Sequence, residues 1–227
     1  MREIVLDTET TGLYYTHYDR IIQIGLVELW DYCPTGTHKQ WTINPERHIP
    51  AEVSKIHNLT DEIVSTKPRF IEIVDEFLEF IGDSALIIHN ARFDIGFLNA
   101  ELRRVNRPLI EFGRVIDTMD LVRQLYPGMK LSLDALCVRF GILNTNRTVH
   151  GALLDAELLA ECYLELRGGR QRTFDMSLAH QESAKPIVQS RQRYPLRPHA
   201  PSDEERMAHE KLVDEMPNAL WKQVISK

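Results

Sequence analysis

The chain has 227 residues, of which 43% are hydrophobic and 26% charged, as in an ordinary soluble globular protein. Its three cysteines, at positions 33, 137 and 162, form no CxxC pair, which disfavours a disulfide framework and a cysteine-based zinc site. The first apolar run stops at Asp7, and no stretch approaches the roughly 18 apolar residues that a membrane span needs. We therefore expect a cytoplasmic protein without a signal peptide or membrane segment.

The net charge of −6 is unusual for a protein that handles nucleic acid, because phosphates are bound by Lys and Arg. The charge is unevenly distributed along the chain. Residues 1–166 carry 16 Lys and Arg against 25 Asp and Glu, whereas residues 167–200 carry seven against two. Residues 201–227 carry four against six. The acidity thus belongs to the part expected to fold, where some of it can hold cations.

Three β-strands are predicted in the first part of the chain. Residues 3–6 and 21–30 are rich in β-branched and apolar side chains, and residues 39–43 follow across a predicted turn at Pro34 and Gly36. Because hairpin-length connections separate them, we expect these three strands to be antiparallel neighbours.

From Phe70 onward the apolar residues recur with the period of a helix. The elements expected there are a helix over 70–81 ended by Gly82, a buried strand over 85–88, a helix over about 95–104, a strand at 115–116, and helices over about 118–125, 133–140 and 152–167. Three antiparallel strands followed by alternating strands and helices predict an α/β fold, a mixed sheet flanked by helices.

Gly168 and Gly169 end the last of these helices, so the first domain is expected to span residues 1–169. Residues 170–201 are polar and basic without periodic apolar positions, which predicts a flexible linker. Ser202 stands three residues before Glu205, an arrangement typical of a helix start. Residues 202–227 contain apolar side chains without a core of their own, so they are predicted to bind a partner or to pack against the first domain.

Two acidic positions follow predicted strands. Asp7 and Glu9 are two residues apart, so in a strand they would point to one face and repel each other unless a cation lay between them. The alternative is a solvated strand end. Asp94 follows the strand 85–88, at the edge of the sheet where sites form in α/β folds. Its alternative role is that of a helix N-cap.

Asp155 lies in the helix predicted over 152–167. The stripe that contains it is otherwise apolar, with the members Ala152, Asp155, Leu159, Cys162 and Leu166. A carboxylate in such a stripe costs several kcal/mol unless it is paired or coordinates a metal, so a metal or a buried Lys or Arg must meet it. His150 precedes this helix by two residues, and an imidazole beside a metal site is a candidate general base.

Other chemistries find no support in the sequence. It contains no GxxxxGK[ST] phosphate-binding loop, no HExxH and no GxSxG motif. Sites rich in carboxylates and poor in sulfur suit Mg²⁺ or Mn²⁺ better than zinc.

Three segments together resemble the exonuclease motifs of the DEDDh family, namely 7–12 (DTETTG), 89–94 (HNARFD) and 150–155 (HGALLD). Each is modest evidence alone, but the set in this order and at these separations is highly specific. The His-x4-Asp spacing resembles the DEDDh branch; the DEDDy branch has a tyrosine and a three-residue gap. Within this family the chain resembles the proofreading epsilon subunits of bacterial DNA polymerase III, with further matches at Val27-Glu28, Pro68, 132–137 and 202–221.

The resemblance implies a ribonuclease-H-like fold and a 3′→5′ exonuclease that removes mispaired nucleotides from DNA primer ends. It implies two Mg²⁺ or Mn²⁺ ions held by Asp7, Glu9, Asp94 and Asp155. It makes His150 the base that deprotonates the attacking water. It also implies a set of side chains around the terminal nucleotide, namely Asp7, Glu9, Thr10, Glu52, His57, Asn90, Phe93 and Asp155.

The resemblance further implies that residues 202–227 bind the catalytic alpha subunit of DNA polymerase III, with residues 170–201 as a tether. It allows for a theta-like small subunit. Residues 171–176 are the candidate sliding-clamp peptide, although Phe174 and Met176 stand in the opposite order from the Met-then-Phe pair of the family. Two alternatives are a stand-alone DEDDh ribonuclease that trims RNA 3′ ends and a non-enzymatic module.

Overall fold

A computed structural model of the chain describes residues 1–143, 150–168 and 200–216. The chain divides into two units, Met1–Asp175 and Met176–Lys227, and each is described here by itself. Residues 170–199 of the predicted linker, the candidate clamp peptide within them and residues 217–227 of the predicted partner-binding segment lie outside the described residues. In the described parts of the chain, no helix is both long and apolar enough to cross a membrane.

The first unit is built on a five-stranded sheet with the strand order β3-β2-β1-β4-β5. The strands are β1 (Arg2–Thr10), β2 (Ile21–Trp30), β3 (Cys33–Thr42), β4 (Ala85–Ile88) and β5 (Val115–Asp117). The first three pair antiparallel, and β4 and β5 continue the sheet parallel to β1. The predicted mixed sheet is therefore confirmed.

The hairpin between β2 and β3 differs from the prediction. The turn lies at Asp31 and Tyr32, which both have positive φ (49° and 60°), and not at Pro34 and Gly36. Two consecutive residues of this kind form the tight two-residue turn that matches the twist of a hairpin. Pro34 is tolerated within β3 because this strand lies at the edge of the sheet.

Helices cover the sheet and connect its strands. Their bounds are α1 (Ala51–His57), α2 (Asp61–Ser65), α3 (Phe70–Ile81), α4 (Ala91–Arg104), α5 (Thr118–Leu125), α6 (Leu133–Phe140) and α7 (Ala152–Leu166). The predicted helix over 70–81 and its end at Gly82 are confirmed. The short helices α1 and α2 were not predicted, since five to seven residues are too few for a clear apolar period.

The core occupies both faces of the sheet because successive residues of β1 point to opposite sides. Ile4 and Leu6 pack in the cluster that includes α3 and α4, whereas Val5 packs in the cluster that includes α6 and α7. On the α7 face, Tyr163 donates a buried hydrogen bond of 2.8 Å to the carboxylate of Glu3. The same alternation continues at the polar end of β1. Asp7 and Glu9 therefore point to the face of Val5, and Thr8 points to the opposite face.

In the second unit, the described residues form one helix, α8 (Asp203–Glu215). Its start is the predicted one: Ser202 Oγ accepts from the Glu205 amide, and Glu205 Oε2 accepts from the Ser202 amide. The hydrogen bonds that the Ser202 amide and hydroxyl donate to Glu205 Oε2 hold the pKa of Glu205 below its usual range. Met207 and Leu212 are 63% and 55% exposed, so α8 carries two exposed apolar side chains.

Candidate active site

Two carboxylates lie side by side at the end of β1. In the register with β2, Asp7 is opposite Gly25 and Glu9 is opposite Gln23. Asp7 and Glu9 are both partly buried, whereas Thr8 between them is buried on the other face. The prediction that the two carboxylates share a face is therefore confirmed, and this face is the one that α7 covers.

Helix α7 starts directly over these carboxylates. A side-chain carbon on Gly25 would collide with the backbone of Ala152 and Leu153, so only glycine permits the helix to approach β2 this closely. The buried Gln23 side chain fixes the helix start, because its Oε1 accepts a 2.8 Å hydrogen bond from the Ala152 amide. The close approach brings the first turn of α7, with Asp155, to the end of β1.

Glu9, His150 and Asp155 each offer one ligand atom, and these atoms lie within 4.8 Å of one another. Asp155 is 4% exposed, as expected for its apolar stripe. His150 lies on the approach to α7, as predicted, and its Nδ1 is 3.2 Å from Asp155 Oδ2. Asp7 lines the same cavity, which has a volume of about 310 Å³. The structure thus brings four of the five predicted metal-binding and catalytic residues together.

Asp94 is held differently. Helix α4 begins at Ala91, four residues earlier than predicted, so Asp94 lies inside its first turn and is not the N-cap. The carboxylate is 3% exposed and accepts a 2.6 Å hydrogen bond from Thr8 Oγ1. Burial raises the pKa of Asp94 to about 7, against the lowering effect of the Thr8 hydrogen bond. Asp94 is therefore joined to β1 through the face opposite to Asp7 and Glu9.

The turn before α4 depends on Asp117, which was not among the predicted site residues. Asn90 is the N-cap and has a positive φ of 66°, a conformation that asparagine tolerates better than most residues. The amides of Asn90 and Ala91 both donate to the carboxylate of Asp117, at the end of β5. Asp117 also caps α5 by accepting from the Met119 amide, so one side chain holds two helix starts beside the site.

Helix α1 borders the site on the side of His150. The His150 amide donates a 2.9 Å hydrogen bond to the carbonyl of Ile56, and His57 follows as the last residue of the helix. His57 is 5% exposed, and its Nδ1 accepts from the Leu59 amide. Among the described residues its buried Nε2 has no hydrogen-bond partner. Burial, together with the nearby His150, lowers the pKa of His57.

The remaining predicted substrate-binding residues do not line the cavity. Thr10 is buried and donates its hydroxyl to the carbonyl of Gly12. Glu52 is exposed in the first turn of α1, and Asn90 is exposed at the start of α4. Phe93 is partly buried, with its ring 4.8 Å from the ring of Phe97. The cavity is instead completed by residues that were not predicted, namely Thr8, His89, Ser132, Leu133 and Asp134.

The donor set fits a divalent cation. It combines carboxylates from β1 and α7 with one imidazole, and oxygen-rich sets of this kind suit hard cations such as Mg²⁺ and Mn²⁺. The hydrogen bond from Thr8 to Asp94 Oδ1 does not exclude Asp94 from this set, because a carboxylate has two oxygens with several lone pairs.

Comparison with known proteins agrees with this geometry. Residues 4–163 match the protein family described as "Exonuclease". The chain is 51% identical over 179 residues to a protein of Rickettsia conorii named DNA polymerase III subunit epsilon, covering 78% of each chain. The chain belongs to this exonuclease family. A protein of the same name from Salmonella typhimurium is 42% identical over 224 residues, with 94% of this chain and 92% of the relative covered.

Solved structures show the same exonuclease fold. Exonuclease X in complex with 5′ overhanging duplex DNA is 28% identical, has a TM-score of 0.55, and matches 72% of this chain and 90% of its own. Exonuclease I is 17% identical with a TM-score of 0.67, over 79% of this chain and 43% of its own, which shows the fold alone.

The predicted reaction class is therefore confirmed: the exonuclease is a 3′→5′ hydrolase of the proofreading type. The ribonuclease alternative is less supported, because the relatives at 42–52% identity are named as polymerase subunits. Membership of a DEDD-type exonuclease family also implies divalent metal ions, in agreement with the acidic group at the end of β1.

Proposed function

We propose that this exonuclease removes mispaired nucleotides from DNA primer ends as the proofreading subunit of a replicative DNA polymerase in the cytoplasm. The observation that carries the proposal is the group of Glu9, His150 and Asp155, whose ligand atoms converge within 4.8 Å beside Asp7. We assign Asp7, Glu9, Asp94 and Asp155 as ligands of two Mg²⁺ or Mn²⁺ ions. His150 is the proposed general base.

The contact between His150 and Asp155 supports the role of the histidine. An ionised carboxylate can only accept a hydrogen bond, so His150 Nδ1 carries the proton in this contact and Nε2 keeps its lone pair. A neutral imidazole in this tautomer can take a proton from water at Nε2. When bound, a divalent cation supplies a Lewis acid that lowers the pKa of water and offsets the charge on the phosphate.

The shape of the site supports a frayed or single-stranded end as substrate. The cavity of about 310 Å³ is of the size that holds a small ligand, so it fits one nucleotide and not a paired end. A mispaired end frays at a lower cost than a matched one, which gives the enzyme its selectivity. We assign His57, whose buried Nε2 lacks a hydrogen-bond partner among the described residues, as a further contact to the substrate.

The names of the relatives support a polymerase as partner, and we assign the contact to residues 202–227. Helix α8 of this segment exposes Met207 and Leu212, and exposed apolar groups of this kind typically mark a binding surface. A theta-like subunit and sliding-clamp binding through residues 171–176 remain predictions from the sequence.

The test is digestion of 5′-labelled DNA primers with a matched or mismatched 3′ end, with and without the polymerase catalytic subunit. We expect shortening from the 3′ end, dependence on a divalent cation, and faster removal of the mismatch. An RNA strand of the same sequence and length tests the ribonuclease alternative. Equal rates on matched and mismatched DNA, or a strong preference for RNA, would contradict the proposal.

A further inference from the structure

A second groove lies on the first unit, along one face of α4. It has a volume of about 460 Å³ and is formed by two arginines, two aromatic rings and small or polar helix residues. The residues that line it are Tyr15, Arg92, Ile95, Gly96, Asn99, Arg103 and Phe112. None of them takes part in the group at the end of β1.

The two arginines differ from their neighbours in charge pairing. Around α4, Arg104 and Arg20 both bind the buried carboxylate of Glu101, and Arg107 pairs with Asp75. Arg92 and Arg103 are exposed, and their side chains make no ion pair or hydrogen bond within the part of the chain that the structure describes. On a protein with a net charge of −6, two exposed cations that line one groove and lack an anionic partner among the described residues point to an anionic ligand.

The aromatic side of the groove is held in place by a glycine. A side-chain carbon on Gly96 would collide with the ring of Tyr15, so this ring lies directly against the helix backbone. Tyr15 also packs edge-on against Phe97, with ring centroids 5.7 Å apart. Glycine inside a helix costs about 0.5–1 kcal/mol relative to alanine, a cost that the seating of Tyr15 explains. Tyr15 remains 40% exposed and Phe112 53% exposed.

We propose that this groove binds single-stranded nucleic acid beyond the nucleotide being cleaved. Arg92 and Arg103 would contact backbone phosphates, and Tyr15 and Phe112 would stack on bases, the combination by which proteins hold single strands. Arg92 lies in the same helical turn as Asp94, and Arg103 lies about 16 Å further along the axis at 1.5 Å per residue. Two residues correspond to about 200° of helical rotation, so Arg92 and Asp94 point to different sides of α4. The groove therefore begins at the end of α4 that carries Asp94 but runs along another face of this helix.

The inference rests on the proposed function, and it explains how an acidic enzyme holds a polyanion. The cavity at the end of β1 is lined by carboxylates and repels phosphates unless cations are bound. Cationic side chains placed outside that cavity attract the strand without competing for the metal ligands. Binding should then grow with strand length and weaken with salt.

The test compares two substrates of one enzyme. Single-stranded oligonucleotides of increasing length reach the groove, whereas the p-nitrophenyl ester of thymidine 5′-phosphate reaches the catalytic cavity alone. For the double variant Arg92→Gln/Arg103→Gln, we expect kcat/KM on a long oligonucleotide to fall at least tenfold relative to kcat/KM on the ester, through KM. The slope of log KM against log salt should become shallower by about 1.4, for two phosphate contacts on a single strand.

Two further variants sharpen the test. Arg123→Gln removes an exposed arginine of α5 that pairs with Asp120, and it should keep the wild-type ratio and slope. Tyr15→Leu should raise KM on long oligonucleotides while the salt slope stays as in wild type. Equal losses on both substrates, or an unchanged ratio and slope in the double variant, would overturn the proposal. Failure of the wild type to cleave either substrate would instead contradict the proposed function.

Discussion

The side-chain carbonyl of Gln23 accepts a 2.8 Å hydrogen bond from the amide of Ala152, a residue 129 positions later in the chain. Gln23 is the cross-strand neighbour of Glu9, and Ala152 is the first residue of the helix that carries Asp155. The bond satisfies one of the amides that a helix start leaves without a partner. One buried side chain therefore joins the two parts of the acidic group.

The close packing at Gly25 predicts a sensitive position. In Gly25→Ala, the added methyl group collides with the backbone of Ala152 and moves α7 away from β2. We expect a loss of about 1–3 kcal/mol in the free energy of unfolding, the usual cost of overpacking, and roughly a 100-fold loss of nuclease activity. Urea denaturation and primer digestion measure the two effects. Gly113→Ala, where the methyl group meets open space, is the matched control.

Removal of one carboxylate from the acidic group should abolish activity without lowering the stability of the fold. Asp7→Ala and Asp155→Ala are expected to abolish divalent-cation-dependent hydrolysis, because both residues line the cavity at the end of β1. Carboxylates gathered to hold cations repel one another without them, so melting temperatures in chelator should stay level or rise. Asp120→Ala, at an exposed position of α5, serves as control. A collapse of both variants in chelator would identify Asp7 and Asp155 as structural residues.

His150 should contribute to the rate of hydrolysis but contribute little to the affinity for the divalent cation. In His150→Ala we expect kcat to fall by roughly 10²- to 10⁴-fold, the usual contribution of a general base. The cation concentration for half-maximal activity should change little, since carboxylates are the proposed ligands. Single-turnover cleavage of a labelled oligonucleotide over a series of Mg²⁺ concentrations measures both. A rate within threefold of wild type would exclude His150 from the mechanism.

The burial of His57 predicts a pH dependence of stability. The pKa of His57 is lowered in the folded protein, so the unfolded chain takes up this proton at higher pH than the folded one. Stability from the neutral imidazole is therefore lost as pH falls below about 6.5, the ordinary value for histidine. The pKa of Asp94 is raised to about 7, so this residue adds stability as pH falls. The contribution of His57 must therefore be measured by comparing wild type with a variant of His57.

The measurement is urea denaturation in chelator between pH 7.5 and 5 for wild type and His57→Asn, in which the amide oxygen can replace Nδ1 as acceptor for the Leu59 amide. We expect wild type to lose stability relative to the variant as pH falls. His38→Asn, at an exposed position of β3, should follow wild type. Parallel curves for wild type and His57→Asn would contradict the prediction.

The segment 202–227 should bind the polymerase catalytic subunit. Met207→Glu/Leu212→Glu keeps good helix-forming residues in α8 but replaces its exposed apolar groups. We expect at least a tenfold weaker affinity, and a similar loss for Trp221→Ala, because tryptophan is enriched at binding hot spots. Glu210→Gln on the same helix is the control, and digestion of free single strands should continue in every variant. Unchanged affinity of both apolar variants would refute the assignment.

The sequence predicted those features whose cause is local. The apolar period of Phe70–Ile81 and the glycine at position 82 predict the bounds of α3 from the local sequence alone. The burial of Asp155 follows from the helical period of its stripe, and the alternation in β1 predicts the shared face of Asp7 and Glu9. These parts of the fold and site were correct for the physical reasons given.

Other features depend on contacts between distant segments, which a local pattern does not contain. Thr8 and Gln23 look like ordinary strand residues until Asp94 and Ala152 are placed against them. The start of α4 was predicted four residues late because Asp117, on another strand, holds the turn before it. For Gln23 a signal existed, since an amide in the apolar run of β2 must find a hydrogen bond when buried.

The hydrogen bond between Tyr163 and Glu3 joins residues 160 positions apart. These residues belong to α7 and β1, the two elements that also carry the acidic group. During synthesis, β1 leaves the ribosome early, whereas α7 emerges only after all the strands of the sheet. The nascent protein therefore carries Asp7 and Glu9 without Asp155 for most of its translation. Contacts of such long range also form slowly once the chain is released. With Asp155 as a proposed metal ligand, the acidic group of Asp7, Glu9 and Asp155 is complete only after α7 has docked on β1.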